Sequence, residues 1–213
     1  MRKFVQSFVA LALIAAPATA ALAQATAQAA PARTAPGQDA KAAGVFIDGL
    51  ADQAFAILRD KSMTKPQVRT KFRTILRENF AVTEIGHRLV RRHRATITPA
   101  QYNAYLAAFP DYVVGTYADR LYEYANSDLK IVRTIPRGSR GDFDVMTSIT
   151  LPNGGQPIQS TWTVRKAPNG KFQIHNLTVA GVNLALTQEA DFTSFIQRKG
   201  FDALVQFMRD AAA

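Results

Sequence analysis

Between Leu129 and Val179 the apolar residues of this chain alternate with polar ones, whereas on either side they recur at spacings of three and four. A period of two suits a strand half-covered by a core, and spacings of three and four suit one face of a helix. The order is therefore helices, then a sheet, then helices, which is an α+β arrangement. The segments LKIVRTI (129–135), FDVMTSITL (143–151), IQSTWTV (158–164) and KFQIHNLTV (171–179) read as strands. PNGG (152–155) and PNG (168–170) read as hairpin connections, so an antiparallel meander of about four strands is expected. Phe143, Val145, Thr147, Ile149 and Leu151 share one face, as do Ile158, Ser160, Trp162 and Val164.

Four helical segments precede the sheet. VFIDGLADQAFAIL (45–58) carries one apolar stripe, and Thr64 caps a second segment that aligns Val68, Phe72, Ile75 and Leu76. VTEIGHRLVRRHR (82–94) turns Val82, Ile85, Leu89 and Val90 inward and its arginines outward. The fourth begins TPAQ, a capping box of Thr98 and Gln101 with Pro99 in the first turn. Leu106, Phe109, Val113, Tyr117 and Leu121 then form a stripe flanked by Tyr102, Tyr105 and Tyr112. Pro110 cannot donate a hydrogen bond to the Leu106 carbonyl, so a bend near Phe109 is expected there. EADFTSFIQRK (189–199) and FDALVQFMRD (201–210), separated by Gly200, close the chain as helices. A curved sheet packed against a long apolar helix makes a cone whose mouth can admit an apolar ligand.

The first residues set the compartment. Arg2 and Lys3, the apolar run 8–16 and the small-residue site Ala21-Leu22-Ala23 have the layout of a secretory signal peptide over 1–23. Residues 24–42 are rich in Ala, Pro, Gln and Thr and read as a flexible leader, leaving 43–213 as one domain. Export is therefore expected, and a periplasm is compatible with it. The absence of cysteine excludes disulfides and thiol catalysis. Of the formal charge of +10, Arg2 and Lys3 contribute two, so cleavage after Ala23 leaves +8. Such a surplus favours anionic partners, and export argues against nucleic acid among them.

Motifs for catalysis are few. There is no GxSxG, no GxGxxG, no P-loop and no HExxH. His87 and His93 lie six apart, off a shared helix face, so a joint metal site is not expected. His175 suits a hydrogen-bonding role better than catalysis. Asp142 and Asp144 point to one side of a strand and could divide acid and base work if buried, but exposure is the usual outcome at a strand start. Phe72, Phe109, Tyr112, Tyr117 and Trp162 fit a packed core as readily as a ligand cavity. The basic segment 87–94, with Lys71, Arg73 and Arg77, fits either a solvated face or a phosphate-facing one.

KFRTILRENFAVTEIGHRLVRRHRATITPAQYNAYLAAFPDYVVGTYADRLYEY followed by VAGVNLALTQEADFTSFIQRKG resembles the MlaC family, also called toluene-tolerance proteins. The Phe72-Arg73 pair, Phe80, the Thr98-Pro99-x-Gln101 cap, Phe109, Tyr117, Tyr124, Gly181-Val182, the LTQ…F segment (186–192) and Gly200 carry it. Val90-Arg91-Arg92-His93, Pro110, Asn183 and Glu189 depart from the family's usual residues. The resemblance implies a nuclear-transport-factor-2-like cone with added helices and an apolar cavity. It implies a monomeric, cofactor-free phospholipid carrier that holds acyl chains inside. Its partners would be an outer-membrane lipoprotein complex and an inner-membrane ABC transporter complex with an MCE domain. The expected lining is Phe72, Ile75, Phe80, Leu89, Phe109, Tyr112, Val113, Tyr117, Trp162, Val164, Val179 and Val182, with Arg73 and Arg91 at the headgroup entrance. A hopanoid or other polycyclic lipid is the variant cargo. The readings of another class are a small exported enzyme on the same kind of cone, and an adaptor docking through its basic face.

Overall fold

The computed structural model describes residues 36–138, 141–167 and 169–212. The proposed signal peptide lies outside the described residues. Six helices and five strands follow in order: α1 (Pro36–Arg59), α2 (Lys65–Asn79), α3 (Val82–Leu89), α4 (Pro99–Leu121), β1 (Asp128–Arg137), β2 (Asp142–Thr150), β3 (Ile158–Lys166), β4 (Phe172–Val179), β5 (Val182–Asn183), α5 (Leu184–Lys199) and α6 (Phe201–Ala212). The strands form one antiparallel sheet in the order β1-β2-β3-β4-β5. The α+β arrangement expected from the sequence is present, with a fifth strand of two residues added to the meander.

The helix starts follow from local chemistry. Thr64 and Thr98 both form capping boxes, with Gln67 and Gln101 as reciprocal partners and a proline in the first turn. At the second, the Gln101 N–H donates to Thr98 Oγ1 at 3.2 Å while the Thr98 N–H donates to Gln101 Oε1 at 2.9 Å. Gln101 also donates through Nε2 to the Asp202 carboxylate at 3.0 Å, tying the start of α4 to α6.

Three expectations need correction. Residues 36–42, read as flexible leader, form the first turns of α1, where Asp39 favours the positive end of the helix and pairs with Lys166 at 2.7 Å. The basic segment 82–94 is not one helix: α3 stops at Leu89, and Arg91–His93 form a separate 3-10 turn. Helix α5 begins at Leu184 rather than Glu189, because Asn183 caps it by accepting from the Leu186 N–H at 3.1 Å. Where the sequence leads to a bend without a reversal at Pro110, α4 is one continuous helix from Pro99 to Leu121.

The apolar residues sort into two packed clusters. The first joins α1, α2 and the later half of α4 to the sheet, through Ile47, Phe72, Ile75, Val114, Val145, Val164 and Ile174 among others. The second joins α3 and the first half of α4 to α5 and α6, through Leu89, Tyr105, Phe109, Tyr112, Phe192 and Leu204. Tyr105 is fully buried and donates its hydroxyl to the Gly86 carbonyl at 3.0 Å. Burial pushes that phenol well above its ordinary value, so it stays neutral.

Between α2 and α3 the chain passes along the free part of β4. Phe80 bridges Ile174 in parallel, and the Ala81 N–H donates to the Ile174 carbonyl at 3.0 Å. This two-residue contact fixes where the clusters meet.

Candidate functional site

A groove of about 440 Å³ opens at that meeting point, lined by Phe80, Ala81, Val82, Thr83, Leu106, Ala107 and Pro110, with Arg77, Glu84 and Gln173 at its polar rim. Phe80 packs on the first cluster, and Val82 and Leu106 pack on the second. The groove therefore lies along the seam between the two clusters and touches residues packed on each. Pro110 sits in its wall and supplies no N–H to the Leu106 carbonyl, so the helix is one hydrogen bond short at the groove. Across α2 and α4, Arg73 Nε donates to Asp111 Oδ1 at 2.5 Å, and Arg69 pairs with Asp119 at 3.1 Å.

A polar pocket of about 380 Å³ adjoins the groove at Glu84, lined by Ile85, Arg88, Arg137, Asp142, Thr163, Arg165, His175 and Asn176. Asp142 is buried and receives Arg165 through two contacts, at 2.6 and 3.2 Å. The expectation of an exposed strand start fails for Asp142, because Arg165 stands opposite it in the β2–β3 register and compensates its charge. Asp144 accepts from Thr163 Oγ1 at 2.9 Å, with Arg137 nearby at 3.4 Å. The β3–β4 register skips His175, a β-bulge that brings this ring beside Glu84 Oε2 at 3.3 Å. Burial holds the His175 imidazole below its ordinary value, reinforced by Arg165 and opposed by Glu84 and Asp142.

The residues expected to line a lipid cavity are divided by this geometry. Phe72, Ile75 and Val164 are buried in the first cluster, with Phe80 and Trp162 packed against it. Leu89, Phe109 and Tyr112 are buried in the second, with Val113 beside them. Tyr117 and Val179 are half-buried, and Val182 is 50% exposed on β5. Of the whole set only Phe80 lines the groove. Arg73 and Arg91, expected at the entrance, line neither concavity: Arg73 is engaged by Asp111, and Arg91 is exposed on the 3-10 turn. The arginines that do face them are Arg77 at the groove and Arg88, Arg137 and Arg165 at the pocket. Among the described residues no group of three His, Cys, Asp or Glu could hold a metal ion, and no helix is long and apolar enough to cross a membrane.

Against known proteins, the profile of a family described as MlaC protein matches residues 48–210. The chain belongs to the MlaC family. A curated MlaC relative, the intermembrane phospholipid transport system binding protein of Haemophilus influenzae, is 20% identical over 174 residues, covering 79% of this chain and 81% of its own. The fold is shared with a solved structure, the phospholipid-binding protein of Ralstonia solanacearum in complex with a phospholipid. That likeness has a TM-score of 0.64 and 21% identity, over 80% of this chain and 96% of the other. The MlaC profile runs from α1 into α6, so the groove and most of both clusters lie inside the family region.

Proposed function

We propose that this chain is a periplasmic phospholipid carrier that loads acyl chains through the Phe80–Pro110 groove and shuttles lipid between outer-membrane and inner-membrane complexes. The observation that carries this reading is the seam itself: one groove touches both apolar clusters, so parting them would expose a continuous apolar interior. Phe72, Ile75 and Val164 would receive the chains from one side, and Leu89, Phe109 and Tyr112 from the other. Each buried CH₂ contributes about 0.8 kcal/mol, so two acyl chains can be held without any covalent step. Release requires a partner that favours the open arrangement, which suits an outer-membrane lipoprotein complex at one end of the route and an MCE-domain ABC transporter complex at the other. The domain boundaries follow: an export signal over 1–23, then a carrier domain that begins with α1 near residue 36.

Native mass spectrometry of the mature chain purified from a cell envelope tests the reading. A bound mass matching phospholipid is expected. Protein that arrives lipid-free and extracts none from liposomes overturns it.

A further inference from the structure

The polar pocket beside the groove holds an uneven set of partners. Arg165 spends two contacts on Asp142, and Arg137 reaches Asp144 only at 3.4 Å from an exposed position. Arg88 has no carboxylate within ion-pair distance among the described residues. Among the described residues its guanidinium makes one hydrogen bond, from Nη2 to the His175 carbonyl at 2.8 Å. Burial pulls this guanidinium below its ordinary value, opposed at longer range by Glu189 and Glu84. A half-buried cation without a matched anion is costly unless something else completes its shell. A second observation is independent of the charges. Asn176 Oδ1 is buried in the same pocket with no hydrogen-bond donor among the described residues.

The pocket thus lacks both an acceptor, at Arg88, and a donor, at Asn176. A bare anion would meet only the first need, and it would also face Glu84 and Asp142. A ligand bearing an oxyanion and a protonated amine meets both. The joining point adds the remaining constraint, since Glu84 is the residue shared by pocket and groove. A molecule with its polar end in the pocket can therefore lay an apolar end in the groove.

We propose that this pocket seats a zwitterionic phosphoryl–ammonium group, with phosphoryl oxygens on Arg88 and Arg137 and the ammonium against Glu84 and Asn176 Oδ1. On the carrier reading, on which this use of the pocket rests, the group is the headgroup of a phosphoethanolamine lipid whose chains enter the groove. A guanidinium suits the phosphoryl oxygens by its forked geometry, and charge-assisted bonds in a half-buried site are strong enough to select cargo.

Two measurements separate headgroup from soluble ligand. In the first, isotope-labelled mature chain is titrated with glycerophosphoethanolamine, glycerophosphoglycerol and inorganic phosphate, and backbone amide shifts are followed. Saturable shifts at Glu84, Arg88 and Asn176 with the first ligand are expected, with binding about tenfold weaker for the two that lack ammonium. Arg88→Gln should cost a similar factor, and Arg88→Lys should recover part of it. Equal affinity for all three ligands, or shifts elsewhere only, overturns the proposal. In the second, the chain is loaded from liposomes of equal phosphatidylethanolamine and phosphatidylglycerol content, and bound lipid is weighed by native mass spectrometry. Enrichment of the ethanolamine lipid that Arg88→Gln abolishes supports the headgroup role. Uptake without enrichment overturns that role and leaves the carrier standing. Failure to take up either lipid removes the carrier reading, and the soluble titration then decides the pocket alone.

Discussion

Arg73 Nε donates to Asp111 Oδ1 across 2.5 Å, joining the middle of α2 to the turn of α4 that follows Pro110. Both side chains are partly exposed, so the pair contributes at most about 1 kcal/mol. Its position gives it leverage that its energy does not, because it bolts together two helices beside the groove wall. Asp111→Asn should lower the melting temperature by no more than about 4 °C. The same variant should speed lipid exchange with liposomes, measured by transfer of a fluorescent phospholipid. An unchanged transfer rate would mean that the bolt does not govern opening.

Gly115 lies where α4 meets the end of α6, and an added Cβ would stand 2.2 Å from the Ala211 carbonyl oxygen and 2.9 Å from the Ala212 Cα. Both obstructing atoms are backbone, so the last turn of α6 must move. Gly115→Ala should destabilise by about 1–3 kcal/mol despite alanine's higher helix propensity. Thermal unfolding reads the loss, and faster amide exchange confined at first to residues 208–212 would locate it.

Ala180 adopts a φ of +48° before Gly181 at +82°, the two left-handed positions of the turn between β4 and β5. Such a turn favours Asn-Gly over Ala-Gly. Ala180→Asn should therefore stabilise the chain by about 0.5–1 kcal/mol, read by urea unfolding at unchanged slope.

His175 gives a pH dependence whose sign can be worked out. Its folded value is lowered from 6.5 by burial first and by Arg165 second, while Glu84 and Asp142 pull the other way and Arg88 adds to the lowering. In the window below 6.5 the unfolded chain binds the proton more readily than the folded one, so stability falls as pH falls through that window. His175→Gln should flatten this part of the stability profile relative to the native chain. A variant whose profile remains parallel to the native one between pH 7 and 5 would show that His175 does not set the slope.

The fold was largely legible because period and capping are local signals. Thr98, Pro99 and Gln101 announce the start of α4 within four residues, and the alternation from Phe143 to Thr147 announces both a strand and its buried face. What stayed hidden depends on partners distant in sequence. Asp142 reads as exposed until Arg165, 23 residues on, is placed opposite it. Arg88 reads as one more surface arginine until its bond to the His175 carbonyl, 87 residues away, is seen. Apolar type alone could not tell which of Phe72 and Phe109 belonged to which cluster, since both simply read as inward-facing. Asn183 could have been found: an Asn followed by a helix-forming Leu-Ala-Leu is a cap signal, obscured by its closeness to the strand ending at Val179.

The Phe80–Ile174 bridge bears on how such a chain survives in a crowded compartment. Unpaired strand edges recruit other chains, and a protein that loosens its apolar packing to exchange cargo is at its most adhesive when it does so. Phe80 and Ala81 occupy the part of β4 that β5 is too short to cover. At the opposite margin, β1 is interrupted by an irregularity at Val132 and carries Lys130, Arg133, Pro136 and Arg137 exposed along it. Both margins are thus unfit to template another strand. On the carrier reading, the helices would part from one another while the sheet stays a closed book to its neighbours.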